Sequence, residues 1–259
     1  NERKKNSRNL IYKSFKEILG CFDYIYLQDD DSRKYFQYFG VSDSKIRICG
    51  PFKMAGTTVY ENRLLKNKVE KLFKNKFVWI AGSIHKDEEI EILEAFKLAK
   101  KKLQNLVLII VPRQPESSNF TAKKSFSYSK NTITRKTTNE FPKKNTDIFI
   151  VATVGELTLW YGLADIAFIG NSLNYKSIKT GKNPFEAVQA GCLVIHGPRM
   201  LEPGYSKLFE EGISEVVSNR FDICQALIRY SSLKNRKIKL KKGKQFIDDN
   251  KFLVENFLK

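Results

Sequence analysis

The sequence predicts an α/β fold built on a doubly wound, Rossmann-like parallel sheet, and three observations carry this prediction. Short apolar runs alternate with amphipathic helical patterns along most of the chain, which is the order that produces a parallel sheet. The run 106–112 (LVLIIVP) is apolar without interruption, as in a strand covered on both faces. The helical run 87–103 before it has acids at its start and lysines at its end, which the helix dipole favours.

The beginning of the chain predicts the end of a second Rossmann-like domain. A basic amphipathic helix is expected over 3–19, a strand over 22–29, a helix that ends at Gly40 and a strand over 45–50. A β-α-β remnant of this size buries little core, so we expect it to pair with a missing amino-terminal domain or to pack on the later part of the chain. The predicted divisions are 1–52 for the end of the amino-terminal domain and its linker, 53–244 for a carboxyl-terminal domain and 245–259 for a closing helix.

The carboxyl-terminal part alternates strands and helices in order. Its predicted strands are 77–83, 106–112, 147–153, 165–170, 192–197 and 214–218. Its predicted helices are 60–73, 87–103, one opened by Gly155 and Glu156, one that starts near Asn183, 205–211, 221–233 and 245–258, with lysines crowding 234–244 before the last. The polar stretch 117–146 predicts a helix or loop and a weak edge strand.

The net charge of +18, from 46 Lys and Arg against 28 Asp and Glu, favours anionic partners such as nucleic acid, acidic lipid or phosphorylated substrates. No nucleic-acid-binding motif accompanies the charge, so no nucleic acid partner is expected. The cysteines are scattered without a CxxC pair and are expected to be reduced core thiols. They are Cys21, Cys49, Cys192 and Cys224. The only histidines, His85 and His196, lie far apart in sequence, which argues against a zinc site.

The stretch 153–187 places its polar residues and glycines where strands end and helices begin. Backbone N–H groups of Gly155, Glu156 and Leu157 at a helix start are candidates to hold a phosphate. Glu156 fits equally well as an acid that the helix dipole favours. Ser172 follows the next strand, at the edge of the sheet where ligands bind in open α/β folds.

Asn183 and Glu186 surround the start of the following helix and support two interpretations. Asn183 as N-cap, Pro184 in the first turn and Glu186 three residues after the cap form a capping-box-like pattern. The same glutamate at a helix start is also placed to accept hydrogen bonds from ribose hydroxyls.

Two further strand ends carry candidate binding groups. Pro112 and Pro115 stiffen the turn that holds Arg113, whose guanidinium suits a phosphate or carboxylate, although a surface arginine paired with Glu116 is the alternative. Ser83 and His85 follow the first strand of this series. His85 either binds an anion or caps a turn.

Motifs of several enzyme classes are missing from the sequence. It contains no Walker A motif, no GxGxxG after a strand, no GxSxG and no HExxH. This argues against a P-loop NTPase, a dinucleotide dehydrogenase, a serine hydrolase and a zincin.

Four motifs, in this order, resemble the 3-deoxy-D-manno-octulosonic acid (Kdo) transferases, which have the GT-B glycosyltransferase architecture. They are GSIHKDEE, VPRQPE, TVGELTLWYGLADIAFIGNSL and GKNPFEA. The resemblance implies a glycosyltransferase that moves Kdo from CMP-Kdo to a lipid A precursor in lipopolysaccharide synthesis. It further implies action at the cytoplasmic face of the inner membrane, with its anionic surface as a partner, and neither a metal nor a cofactor besides the donor substrate.

The resemblance also implies roles for individual residues. Arg113 would meet the nucleotide, and the turn 155–157 would hold the CMP phosphate or base through backbone contacts. Asn183 and Glu186 would contact phosphate and ribose. Ser83 and His85 would face the sugar.

The sequence departs from the family pattern at several points. Asn171 stands where the family has a second glycine, Lys86 and Asp87 interrupt a His-Glu-Gly-Glu-Glu run, and the loop 173–182 keeps only Gly181 of a glycine pair. The family's proposed catalytic base and membrane anchor would lie upstream of Asn1, so no catalytic residue is assigned. We expect the chain alone to bind nucleotide weakly and not to turn over. The alternatives are a GT-B transferase for another nucleotide sugar, a non-catalytic nucleotide-binding or lipid-surface module, and a basic nucleic-acid binder.

Overall fold

The computed structural model of the chain describes residues 2–50, 63–173, 181–202 and 204–257. The chain divides into two compact units, residues 1–56 with 249–259 and residues 57–248. The predicted linker after residue 50 lies outside the described residues, and the predicted domain limits stay a prediction. No helix among the described residues combines the length and the apolar character that crossing a bilayer requires.

The elements are named in chain order. The helices are α1 Glu2–Gly20, α2 Arg33–Tyr38, α3 Arg63–Leu72, α4 Glu89–Lys100, α5 Ser118–Phe126, α6 Leu157–Tyr161, α7 Phe185–Gln189, α8 Ser206–Glu210, α9 Arg220–Tyr230 and α10 Leu233–Phe257. The strands are β1 Ile25–Leu27, β2 Ile46–Ile48, β3 Phe77–Ile84, β4 Leu106–Pro112, β5 Thr132–Arg135, β6 Ile148–Val151, β7 Ile166–Ile169, β8 Leu193–His196 and β9 Ser214–Val216.

A parallel sheet of seven described strands forms the centre of the unit 57–248, in the order β5-β6-β4-β3-β7-β8-β9. The predicted doubly wound α/β fold is confirmed. The chain first builds the sheet outwards from β3 through β4, then returns to add β7 on the other side of β3. Strand order therefore reverses between β3 and β7, where open α/β sheets bind ligands beyond the carboxyl ends of their strands.

The sheet is covered on both faces, as the unbroken apolar run of β4 predicts. All seven residues of β4 are buried. On one face, Phe96 of α4 and Leu227 of α9 pack in the same cluster as Trp79 of β3. On β6, the ring of Phe149 lies 5.1 Å from that of Trp160 in α6, and both tryptophans are fully buried. This packing fixes the strand ends that carry the candidate binding residues.

In the other unit, β1 and β2 form a parallel pair beside α1 and α2. Leu27, Val41 and Ile46 make up its small buried cluster. One strip of α1, formed by Ile11, Phe15 and Ile18, is exposed.

Two sequence expectations are wrong. The helix expected over 245–258 begins earlier, at Leu233. The lysine-rich segment is helical because a lysine on its inner side is stabilised: Lys239 Nζ donates to the carbonyl oxygens of Gly212 and Ser214. Lysine is also a good helix former. Cys21 is exposed at the end of α1 and is not a core thiol, whereas the other three cysteines are buried.

Glycines at the ends of β7 and β8 allow neighbouring loops to come into close contact. A Cβ atom on Gly170 would lie 2.4 Å from the carbonyl oxygen of Ser83, and one on Gly197 would lie 2.1 Å from that of Ser172. Both positions therefore require glycine for steric reasons.

We expect Gly197→Ala to lower the free energy of unfolding by about 1–3 kcal/mol, because the added methyl group overpacks the loop at Ser172. Urea denaturation measures the loss. Gly162→Ala is the matched control, since its Cβ atom would meet only backbone carbonyl oxygens, the nearer being that of Leu159 at 3.4 Å. Equal stability of the two variants would show that the loop moves aside freely.

Candidate functional site

An open cleft of about 490 Å³ lies at the carboxyl ends of the central strands. It is lined by His85, Arg113, Gln114, Pro115, Glu116 and Lys182. A smaller adjoining cavity of about 200 Å³ shares Arg113 and His85 and adds Lys86 and Asp87. The structure therefore brings two of the sequence-predicted binding residues, Arg113 and His85, into one cleft near the reversal of strand order.

Arg113 follows β4 on a turn that the backbone holds firmly. Its N–H donates to the carbonyl oxygen of Ile84 at 2.9 Å, which ties the end of β4 to the end of β3, and Pro112 is buried opposite Ile84. The N–H and the hydroxyl of Ser117 both donate to the carbonyl oxygen of Gln114. The exposed guanidinium pairs with no other residue that the structure describes, Glu116 included, so it is available to an anion.

The last residues of β3 adopt an unusual conformation: Ser83, expected after the strand, lies within it, where the pairing register with β4 shifts between Gly82 and Ile84. Ser83 has φ +56°, a left-handed value that is costly for a residue with a side chain. His85, two residues later, lines the cleft, whereas Ser83 is not among the lining residues. The predicted sugar-side role stays a prediction for both.

Glu88 is the principal residue of this region that sequence reasoning missed. Its side chain is 1% exposed. Oε2 accepts hydrogen bonds from the backbone N–H groups of His85 at 3.1 Å and Asn171 at 2.6 Å. Oε1 accepts from those of Ser172 at 2.9 Å and Leu173 at 3.1 Å. In the sequence, Glu88 is the middle of three successive acids and resembles an ordinary first-turn acid.

The loop after β7 is shaped by its own side chains. Asn171 has φ +63°, and Asn tolerates this conformation better than other residues with a side chain, so the loop does not require a glycine at this position. Ser172 is fully buried, and its hydroxyl donates to the carbonyl oxygen of Ile169 and accepts from the N–H of Gly197 at 2.7 Å. The hydroxyl is thus engaged inside the loop, and a contact with a ligand stays a prediction.

Glu156 pairs with Arg135, a residue that sequence reasoning also missed. Arg135 is 1% exposed, and its Nε and Nη2 donate to the two carboxylate oxygens of Glu156 at 2.8 and 2.9 Å. Burial raises the pKa of Glu156, but the hydrogen bonds from Arg135 and Thr153 outweigh burial and hold it below its ordinary value. The carboxylate therefore anchors the turn that precedes α6.

The backbone of that turn offers hydrogen-bond donors. The N–H groups of Gly155, Glu156 and Leu157 donate to no other residue among those described. Gly155 is exposed and has φ +83°. The turn fits the predicted phosphate contact, although it does not line the cleft around Arg113.

Asn183 and Glu186 form a capping arrangement at the start of α7. Asn183 Oδ1 accepts from the N–H of Phe185 at 3.0 Å, and its Nδ2 donates to Glu186 Oε1 at 3.2 Å. The predicted capping box is modified, since Glu186 meets the side chain of Asn183 and not its backbone. Burial raises the pKa of Glu186, and the bond from Asn183 offsets this only in part. The adjacent Lys182 N–H donates to the carbonyl oxygen of Gly170, which brings this segment to the end of β7.

The cleft combines two cationic side chains with one acid, Glu116. Arg113 and Lys182 contribute cationic groups, and an arginine can hold a phosphate through two parallel hydrogen bonds. Within the described ranges, no three His, Cys, Asp or Glu side chains are grouped so as to hold a metal ion.

Comparison with curated proteins finds 3-deoxy-D-manno-octulosonic acid transferases among the relatives of the chain. No family model matches the chain. A 3-deoxy-D-manno-octulosonic acid transferase of Haemophilus influenzae is 35% identical over 175 residues, covering 66% of this chain and 39% of that protein. One of Rickettsia typhi is 26% identical over 252 residues, covering 95% of this chain and 53% of that protein. The chain thus spans about two fifths to half of the length of these curated relatives.

Solved structures share the fold. The C-terminal CMP-Kdo binding domain of WaaA from Acinetobacter baumannii matches with a TM-score of 0.61 at 22% identity, over 70% of this chain and 97% of that one. WaaG, a glycosyltransferase involved in lipopolysaccharide biosynthesis, matches with a TM-score of 0.54 at 13% identity, over 89% of this chain and 60% of that one. These structures are GT-B glycosyltransferases, and at such identities they show the fold alone.

We expect Glu156→Gln to lower the free energy of unfolding by about 3 kcal/mol at pH 7, because it leaves the buried guanidinium of Arg135 without its counter-charge. The double variant Arg135→Met/Glu156→Gln should lose less than the sum of the single variants. Urea denaturation measures each value. Arg229→Gln, which breaks an exposed pair with Glu215, is the control and should cost less than about 1 kcal/mol.

The same variant gives a pH dependence. The pKa of Glu156 is lowered in the folded protein. The contribution of its carboxylate to the free energy of unfolding is therefore complete above the ordinary carboxyl pKa of about 4.3, and it is lost as pH falls through the folded-state pKa. The difference in the free energy of unfolding between the wild type and Glu156→Gln should therefore shrink below about pH 4.3. A difference that stays constant down to the acid transition would contradict the assigned pair.

Proposed function

Because the chain belongs to the Kdo transferase family, we propose that it binds the donor CMP-Kdo and serves the transfer of Kdo to a lipid A precursor in lipopolysaccharide synthesis. The observation that carries the proposal is the cleft at the reversal of strand order, where Arg113, Lys182 and His85 meet. It is supported by the fold shared with the CMP-Kdo binding domain of WaaA. Since the chain spans only part of its relatives, donor binding is proposed for this chain and complete transfer for the whole protein.

In the proposed complex, Arg113 holds the phosphate of CMP through its guanidinium. The N–H groups of residues 155–157, which donate to no other described residue, follow β6 and contact the phosphate or the base of CMP. Asn183 and Glu186 contact phosphate and ribose, with the half-buried carboxyl of Glu186 facing a hydroxyl group. Ser83 and His85 face the sugar.

In the proposed reaction an acceptor hydroxyl attacks the anomeric carbon of Kdo, the bond from that carbon to the phosphate oxygen breaks, CMP leaves, and the proton of the hydroxyl passes to solvent. Negative charge then develops on the departing phosphate, and Arg113 stabilises it in place. The reaction moves no electrons between redox states, so it needs no redox cofactor, and CMP-Kdo is its donor substrate.

We further propose that the protein works at an anionic membrane surface, the cytoplasmic face of the inner membrane. Lys234, Lys237, Lys241 and Lys244 are exposed and spaced so as to share one side of α10, defined here as the basic face. No Asp or Glu lies between Leu233 and Ile247, so nothing along this part of the helix offsets their mutual repulsion. Ile238, 70% exposed, adds an apolar group. Acidic lipid attracts such lysines by about 1 kcal/mol each.

CMP should raise the melting temperature of the chain more than CDP, UMP or UDP at equal concentration, because a bound ligand stabilises the folded state.

Arg113→Ala should weaken CMP binding by about tenfold to a hundredfold through loss of a charge-assisted contact. Thermal shift and calorimetric titration measure both effects.

The control is Arg229→Ala, which removes an exposed guanidinium paired with Glu215 and should leave CMP affinity unchanged. A preference for UDP would point to another nucleotide sugar. Salt-sensitive binding of single-stranded DNA with no nucleotide effect would overturn the transferase proposal.

The double variant Lys237→Glu/Lys241→Glu should release the protein from vesicles of phosphatidylglycerol and phosphatidylcholine, with an affinity loss of at least about tenfold. Co-sedimentation measures the bound fraction. Lys123→Glu/Lys130→Glu changes the net charge equally at other exposed positions and should have a smaller effect. Equal losses would show that net charge, and not the basic face, drives binding.

A further inference from the structure

We propose that Glu88 is a positioning residue of the donor site, an inference that rests on the proposed function. Its buried carboxylate joins the end of β3 to the loop after β7, on the two sides of the reversal of strand order. It thereby fixes His85, which lines the cleft, and closes the loop 171–173 against ligands.

The bonding of Glu88 is unusual for a buried acid. The carboxylate is 1% exposed, yet no lysine or arginine among the described residues pairs with it. Its charge is offset by four backbone N–H donors and by the amino-terminal end of α4, which begins at the next residue. A buried charge kept without a cation depends on every one of these donors.

The donors define what the carboxylate does. The N–H groups of Asn171, Ser172 and Leu173 converge on the one carboxylate, in a loop in which Asn171 adopts φ +63°. Successive N–H groups in such a conformation form a concave anion site of the kind that binds phosphate in many proteins. Here the protein's own glutamate occupies it.

This occupancy bears on where the donor sits. A phosphate cannot use the N–H groups of 171–173 while Glu88 holds them, and the negative charge of Glu88 repels it from that spot. The phosphate is therefore directed to the neighbouring cationic groups, Arg113 and Lys182, which line the cleft. Glu88 thus positions the loop and excludes the nucleotide from it.

The test compares Glu88→Gln with the wild type of the full chain by hydrogen exchange and CMP titration. A glutamine has one acceptor oxygen, and its NH₂ group faces N–H donors, so at least part of the four-donor arrangement is lost. The amides of His85, Asn171, Ser172 and Leu173 should exchange at least about tenfold faster, and CMP should bind about tenfold to a hundredfold more weakly.

Glu91→Gln is the matched control on the same helix. Glu91 also accepts a backbone N–H, that of Arg220 at 2.7 Å, and pairs with the Arg220 guanidinium. It should lower stability while leaving CMP affinity and the exchange of the four amides unchanged. If both variants lose stability but Glu88→Gln keeps wild-type CMP affinity, Glu88 is only structural and the inference is overturned.

Failure of the proposed function is recognised separately. If the wild type binds no CMP, that function fails, and amide exchange alone decides whether Glu88 holds the loop. If Glu88→Gln does not fold, the wild type still gives an answer: the four amides should be strongly protected and should open together. Exchange of 171–173 at the rate of exposed amides would overturn the inference.

Discussion

The convergence of four backbone N–H groups on the carboxylate of Glu88 is the interaction on which the rest of the cleft depends. It connects two segments more than eighty residues apart in sequence at the place where the sheet changes direction. Gly170 serves the same contact. A side chain at this position would collide with the carbonyl oxygen of Ser83, and the loop can reach the carboxylate only if the ends of β3 and β7 approach closely. The close approach of the two strand ends and the bonding of the buried carboxylate thus occur at the same point of the fold.

Two acids of the unit 57–248 are matched by different means. Glu156 is matched by the guanidinium of Arg135, whereas Glu88 is matched by backbone dipoles. Arg113 is the contrasting case, since its guanidinium is exposed and pairs with no other described residue. Arg113 and Lys182 therefore bring positive charge to the cleft beside Glu116, while the buried acids Glu88 and Glu156 are already matched inside the unit.

Local patterns predicted the sheet well, because β4 and its neighbouring strands are continuous apolar runs with clear helical partners. They also placed Arg113 and His85 correctly at strand ends. They did not reveal Glu88 or Arg135, whose partners lie far away in sequence and whose own surroundings look like a first turn and a weak edge strand. The predicted start of α10 was wrong for a related reason, because Lys239 donates to carbonyl oxygens of a loop that is distant in sequence. Pairings of this kind leave no periodic trace in a sequence.

The burial of both tryptophans has a consequence for optical experiments. Trp79 and Trp160 are the two tryptophans of the chain, and both are fully enclosed in the unit 57–248. Intrinsic fluorescence excited at the red edge of absorption will therefore report that unit, while the unit containing β1 and β2 contributes only tyrosine emission. Trp160 also lies 5.6 Å from the guanidinium of Arg135, so its emission is a built-in reporter of the local field around that ion pair.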